Sequence, residues 1–251
     1  MQQGFPRTEV LVIGAGLSGA ITSQRLARAG IEVTCLEQGV WNPLESYPGD
    51  KPDFELQALG PWNANPNIRQ GKADYPILDD TSDIKPLLFN GVGGSTVMFS
   101  AHWMRFLPSD FFTYSLDGVG TDWPIDYQDL EPYYLQTEAD IGVSGVAGDP
   151  AYPDRPDYPM PPLPIQPWGE KVAAAHDRLG WHWWPGSNAI TSRPYQGRRP
   201  CVQRSTCRAG CNEGAKGSAD RSIWPSAIEA GAKLVTGARV VRILTNQQGR
   251  A

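Results

Sequence analysis

Val10-Leu11-Val12-Ile13-Gly14-Ala15-Gly16-Leu17-Ser18-Gly19, completed by Cys35-Leu36-Glu37, is the stretch on which the fold turns. It reads as a short apolar strand, three glycines spaced G-x-G-x-x-G, a helix, a second strand and an acid. Each glycine has a separate reason at a dinucleotide. Gly14 allows the sharp turn, Gly16 lets backbone N–H groups approach a pyrophosphate, and Gly19 lets the helix pack closely on the strand. The helix that begins there directs its N-terminal N–H groups at phosphate. Glu37 follows about twenty residues on, where a carboxylate can accept both hydroxyls of an adenosine ribose. A βαβ unit with a glycine turn and no ligand is the alternative, and the glycines do not distinguish NAD from FAD.

With 251 residues the chain is long enough to bury a sizeable core. Its net charge of −5, with no basic stripe, argues against a nucleic-acid partner. No apolar run approaches the roughly 18–20 residues of a membrane span. The opening Met1-Gln2-Gln3-Gly4-Phe5-Pro6-Arg7 has no apolar signal core, so a cytoplasmic location is expected. Cys35 sits in an apolar strand and reads as core, whereas Cys201, Cys207 and Cys211 are clustered.

Beyond the βαβ unit, Pro43, Pro48, Pro52, Pro61 and Pro66 forbid long helices between Val40 and Ile77. A short helix is expected near Phe54–Leu59. A second glycine loop, Gly91-Val92-Gly93-Gly94-Ser95-Thr96, can approach a planar or anionic ligand without Cβ interference. Helices are expected over Tyr127–Ile141, capped by Asp126, over Trp168–Leu179, stopped by Gly180, and over Asp220–Ala230, ended by Gly231. Strands are expected at Lys233–Thr236 and Ala238–Thr245, with a turn from Asn246 to Arg250.

Taken in order, the motifs resemble the glucose–methanol–choline (GMC) family of flavoprotein oxidoreductases. The carriers are Gly14-x-Gly16-x-x-Gly19 with Glu37, and the Gly91–Thr96 loop before Arg105-Phe106-x-Pro108-x-Asp110-Phe111. Trp123-Pro124-Ile125-x-Tyr127-x-Asp129-Leu130-x-Pro132-Tyr133-Tyr134 and Thr236-Gly237-Ala238-Arg239-Val240 complete them. Within the family the chain is most similar to the bacterial sugar and gluconate dehydrogenase-like group.

The resemblance implies an α/β fold: a Rossmann-like FAD-binding βαβ core with long loop-rich insertions and part of a substrate domain, truncated. One incomplete FAD-binding domain is expected over 1–251, with its core at 8–37 and about 218–251 and a flavin-side loop at 85–112. Residues 40–80 and 142–215 are insertions that belong in part to a substrate or cap region. Gly14, Ala15, Gly16, Leu17, Ser18 and Gly19 would hold the FAD pyrophosphate, and Glu37 the adenosine ribose. Gly93, Gly94, Ser95 and Thr96 would lie along the pyrophosphate and flavin side, and the Val240 backbone would contact the adenine. Met98 stands where some relatives carry a flavin-tethered histidine, which implies non-covalent FAD.

The cysteine trio resembles a segment of the iron–sulfur-bearing sugar dehydrogenases of the family, which implies a cluster on Cys201, Cys207 and Cys211. The Cys211-Asn212-Glu213 continuation departs from the Cys-Pro of that group, and many relatives carry cysteines here without a cluster. The family activity is oxidation of a CH–OH group of an alcohol or sugar, with electrons passing to oxygen, a quinone or an acceptor protein. Its catalytic histidine and His or Asn partner fall in a C-terminal half beyond Ala251, and His102, His176 and His182 match neither. The chain is therefore expected to be the N-terminal half of a longer enzyme. Two alternatives stand beside this reading: a non-catalytic FAD-binding or electron-transfer module, and an NAD-dependent dehydrogenase.

Overall fold

A computed structural model describes residues 7–249. In chain order these form β1 Val10–Ile13, α1 Leu17–Arg28, β2 Val33–Leu36, α2 Phe54–Leu59, α3 Pro66–Arg69, α4 Thr113–Asp117, α5 Tyr127–Ile141, α6 Pro167–Leu179, α7 Ala219–Ser222, α8 Trp224–Glu229 and β3 Lys233–Val235. The reading of residues 1–6 as a non-signal segment, and the end of the expected turn at Arg250, lie outside the described residues. No helix among the described residues is long and apolar enough to cross a membrane.

The chain divides into two compact units. One comprises residues 7–100, 203–214 and 218–249, and the other comprises residues 101–202 and 215–217. The 40–80 segment lies in the first unit and most of the 142–215 segment in the second.

The first unit is built on a parallel sheet of order β1-β2-β3. Two parallel strands need a crossover, which α1 supplies. On α1, Ala20, Ser23, Gln24 and Ala27 are buried, all near a 3–4-residue spacing that keeps them on one face. That face meets α8, where Gln24 Nε2 donates to Ser226 Oγ at 2.7 Å. The expected 220–230 helix is split in two at Ile223. Pro225 follows, and its missing N–H cannot continue the ladder. The strand expected at 238–245 does not form. The Gly237 and Ala238 N–H groups instead donate to the Gly39 and Glu37 carbonyls, and Val241, Ile243 and Leu244 are exposed. A strand persists only where a neighbour satisfies its backbone groups.

The second unit carries α4, α5 and α6 with short β-bridges. Helix α5 runs over the expected residues, and the Asp126 carboxylate accepts from the Asp129 N–H at its start. Its buried Glu138 accepts from Arg105 Nε (2.8 Å) and Nη2 (2.9 Å) and from Arg155 Nη1 (3.0 Å) and Nη2 (2.6 Å). Those four bonds fill the acceptor capacity of one carboxylate. Arg105 Nη1 also donates to Tyr127 Oη at 2.8 Å. Phe106, Phe111 and Trp123 pack as an aromatic trio, with centroids 6.0–6.2 Å apart.

Candidate dinucleotide site

The first unit brings the two glycine loops together. Gly93 N–H donates to the Ala15 carbonyl at 2.9 Å, and Gly14 N–H donates to the Leu36 carbonyl at 2.8 Å. Two of the glycines are demanded by close approach. A Cβ on Gly19 would lie 2.0 Å from the Gly14 carbonyl oxygen, and one on Gly94 would lie 2.9 Å from Gly16 Cα. Real Cβ atoms do not tolerate either distance, so the helix packs on the turn, and the second loop on the first, only because side chains are absent.

Helix α1 starts at Gly16 with no side-chain cap. The N–H groups of the first helical turn have no partner within the helix, and the helix dipole adds positive potential at the same place. Leu17 and Ser18 lie in that turn, with Ser18 exposed. The arrangement suits a phosphate.

Glu37 is buried, and both of its oxygens serve the loops. Oε2 accepts from Ala15 N–H at 2.8 Å and Oε1 from Gly39 N–H at 2.8 Å. A carboxylate offers about four lone-pair positions, so capacity for two further donors remains. The 236–240 segment runs beside this acid, because Ala238 N–H donates to the Glu37 carbonyl at 2.8 Å. Val240, two residues on, is half-buried.

Ser95 is exposed, whereas the Thr96 hydroxyl is committed to the protein. It donates to the Gly93 carbonyl at 2.5 Å and accepts from Ala219 N–H at 3.0 Å, which braces the loop from within. Met98 is buried in an apolar cluster with Tyr47 and Val97.

Two supports were not singled out in the sequence. Trp224, fully buried, donates from Nε1 to the Ala15 carbonyl at 2.9 Å, the same oxygen that takes Gly93 N–H. Asp220, also fully buried, accepts from Tyr47 Oη at 2.8 Å, and its Oδ1 would lie 3.0 Å from a Cβ at Gly93. A glycine motif carries no signal for partners about two hundred residues away in sequence.

The cluster expected on Cys201, Cys207 and Cys211 draws no support from the structure, in which Cys201 belongs to the second unit and Cys207 and Cys211 to the first. Among the described residues no group of three or more His, Cys, Asp or Glu side chains is placed to hold a metal ion. The 207–214 segment is shaped by other contacts. A Cβ on Gly210 would lie 2.3 Å from the Tyr47 ring, and Arg204 pairs with Glu213 at 2.7 Å. All four cysteines are outside disulfides. The three histidines lie in the second unit. His102 is exposed, His176 Nδ1 lies 3.0 Å from the Val172 carbonyl, and His182 pairs with Asp149 at 3.0 Å.

Comparison with known proteins identifies the family. Residues 8–251 match the profile of the GMC oxidoreductases, N-terminal part. The chain belongs to the GMC oxidoreductase family. It is 42% identical over 255 residues to the 2-methyl-1,2-propanediol dehydrogenase of Mycolicibacterium austroafricanum, covering 100% of this chain and 45% of that protein. It is 30% identical to the fructose dehydrogenase large subunit of Gluconobacter japonicus, covering 96% of this chain and 47% of that protein. Among solved structures, pyridoxine 4-oxidase from Mesorbium loti superposes with a TM-score of 0.52 at 17% identity, over 93% of this chain and 43% of that one. Formate oxidase gives a TM-score of 0.51 at 17% identity, over 96% and 40%. This GMC chain thus spans less than half the length of these relatives.

Proposed function

We propose that this chain is the FAD-binding part of an oxidoreductase that removes hydride from a CH–OH group of an alcohol or sugar. The observation that carries the reading is the contact between the two glycine loops, with the uncapped start of α1 beside it and the Glu37 carboxylate bound to both Ala15 and Gly39. The N–H groups at Leu17–Gly19 would hold the pyrophosphate. The spare acceptor capacity of Glu37 would take the ribose hydroxyls. Gly93, Gly94 and Ser95 would form the opposite wall, and the Val240 backbone would meet the adenine.

Bound FAD would supply the hydride acceptor, while the protein orients it and tunes its potential. The burial of Met98 within an apolar cluster supports non-covalent attachment. The names of the relatives in Mycolicibacterium and Gluconobacter support a small alcohol, diol or sugar as substrate. A second reading is a cofactor-binding module without turnover of its own, for which the contact between the glycine loops and Glu37 is sufficient.

The experiment is a pair of equilibrium titrations of the purified chain with FAD and with NAD. Uptake of FAD with the flavin absorbance bands is expected. A colourless chain that binds NAD instead would overturn the reading. Addition of alcohols and sugars to the FAD-loaded chain then separates the two forms of it, since only a competent enzyme bleaches the flavin.

A further inference from the structure

The second glycine loop has a root as well as a tip, and the root is held by charged groups that the cofactor reading does not use. Arg69, at the end of α3, places all five of its N–H groups. Nε donates to Asp74 Oδ2 at 2.9 Å, and Nη2 donates to Asp74 Oδ1 at 2.5 Å and to the Leu88 carbonyl at 3.1 Å. Nη1 donates to the Asn63 carbonyl at 2.5 Å and to Met98 Sδ at 3.9 Å. Leu88 precedes the Gly91–Thr96 loop and Met98 follows it, so one guanidinium ties both ends. The side chains of Arg69 and Asp74 are each only 6% exposed.

Asp74 passes this order on. Its Oδ1 also accepts from Asn90 Nδ2 at 2.8 Å, and Asn90 Oδ1 accepts from Gln38 Nε2 at 2.5 Å. A carboxylate can only accept, so the Asn90 amide must present its NH2 to Asp74 and its oxygen to Gln38. The chain of bonds therefore runs from Arg69 to the residue beside Glu37. The backbones are equally close there: Val92 N–H donates to the Val40 carbonyl at 3.1 Å, and a Cβ on Gly39 would lie 2.4 Å from the Asn90 carbonyl oxygen.

We propose that the Arg69–Asp74 pair, acting through Asn90, positions the second glycine loop against the Glu37 loop and so sets the affinity for the dinucleotide. This rests on the cofactor reading above. Arg69, Asp74 and Asn90 are positioning residues: they fix the spacing between two walls that other residues form.

The test is the dissociation constant for FAD, from flavin fluorescence, in the wild-type chain, in Asn90→Ala, in Asp74→Asn and in the double variant. Melting temperatures and the visible circular dichroism of bound flavin are recorded alongside. Asn90→Ala removes two side-chain hydrogen bonds, and affinity should fall about tenfold, with an altered flavin dichroism. The double variant should bind no more weakly than Asn90→Ala alone, because Asp74 acts through Asn90. If Asp74→Asn fails to fold, Asn90→Ala carries the test by itself. Wild-type affinity and dichroism in Asn90→Ala, even with a lowered melting temperature, would overturn the positioning role while leaving FAD binding intact. Failure of the wild-type chain to bind FAD would overturn both.

Discussion

Gly94→Ala is the perturbation that probes the contact between the two loops most directly. The added Cβ would meet Gly16 Cα at 2.9 Å, whereas carbon–carbon contacts settle at about 3.5–4.0 Å. Relief requires the loops to part by about 0.6–1 Å. Gly94 also sits at φ +53°, which costs an L-residue about 1–2 kcal/mol, and overpacking adds about 1–3 kcal/mol. Together these amount to about 2–5 kcal/mol, or a melting temperature about 4–20 °C lower for a chain of this size.

The loop separation should register separately in cofactor affinity. A backbone N–H to phosphate bond contributes about 1.5–3 kcal/mol, so losing one weakens FAD about 10- to 150-fold. Gly231→Ala is the control. It lies at φ +104° with nothing within 4 Å of its Cβ, so it carries backbone strain without any collision. Flavin-fluorescence titration and thermal melts on both variants decide the matter. Equal FAD affinity in Gly94→Ala and Gly231→Ala, at a temperature where both are folded, would refute the claim that loop contact sets the cofactor wall.

Glu138→Ala should cost about 3–5 kcal/mol, because it removes the carboxylate that the buried Arg105 and Arg155 guanidiniums share and leaves Arg105 only the longer 3.7 Å pairing with Glu131. Replacing the group together, as Arg105→Met, Glu138→Leu and Arg155→Met, should recover much of that loss in calorimetric melts, and a triple variant no more stable than the single one would contradict this account. Burial, helped by the nearby Glu37 charge, pushes the Cys35 thiol up to about 12, so almost no thiolate forms at pH 8. A thiol reagent in native buffer should modify Cys201, Cys207 and Cys211 well before Cys35, which should react only after denaturant is added; early labelling of Cys35 by peptide mapping would show that β2 opens readily.

The local elements were legible because their signals are local. The apolar run, the glycine spacing and Asp126 before Tyr127 each act within a few residues, and β1, α1, β2 and α5 follow from them. The 238–245 segment departs from its propensity for the opposite reason. Its Val240, Val241, Ile243 and Leu244 have strand propensity, but a strand is a statement about a neighbour, and only Lys233–Val235 has one in β2. Trp224 and Asp220 could not have been found, since their partners at Ala15 and Tyr47 are distant in the chain. The motifs Arg105-Phe106 and Trp123-Pro124-Ile125-x-Tyr127 identified the family, yet the structure gives them packing roles, in the Glu138 network and the Phe106–Phe111–Trp123 trio.

Glu37 shows how the structural and cofactor demands meet in one residue. The sequence pattern explains an acid here by the ribose alone. The geometry adds a second reason, because the carboxylate already bridges Ala15 N–H and Gly39 N–H, each at 2.8 Å. Gly39 abuts Asn90, and Ala15 receives Gly93 N–H and Trp224 Nε1 on its carbonyl. The same carboxylate therefore stands at the junction of both glycine loops. A glutamine would offer one acceptor oxygen and present a donor to the other N–H. An aspartate, one methylene shorter, would have to draw the two N–H groups in to reach both. Glutamate alone bridges the pair and retains acceptor capacity for a ribose, so the residue that would recognise the cofactor also holds the loops in place to receive it.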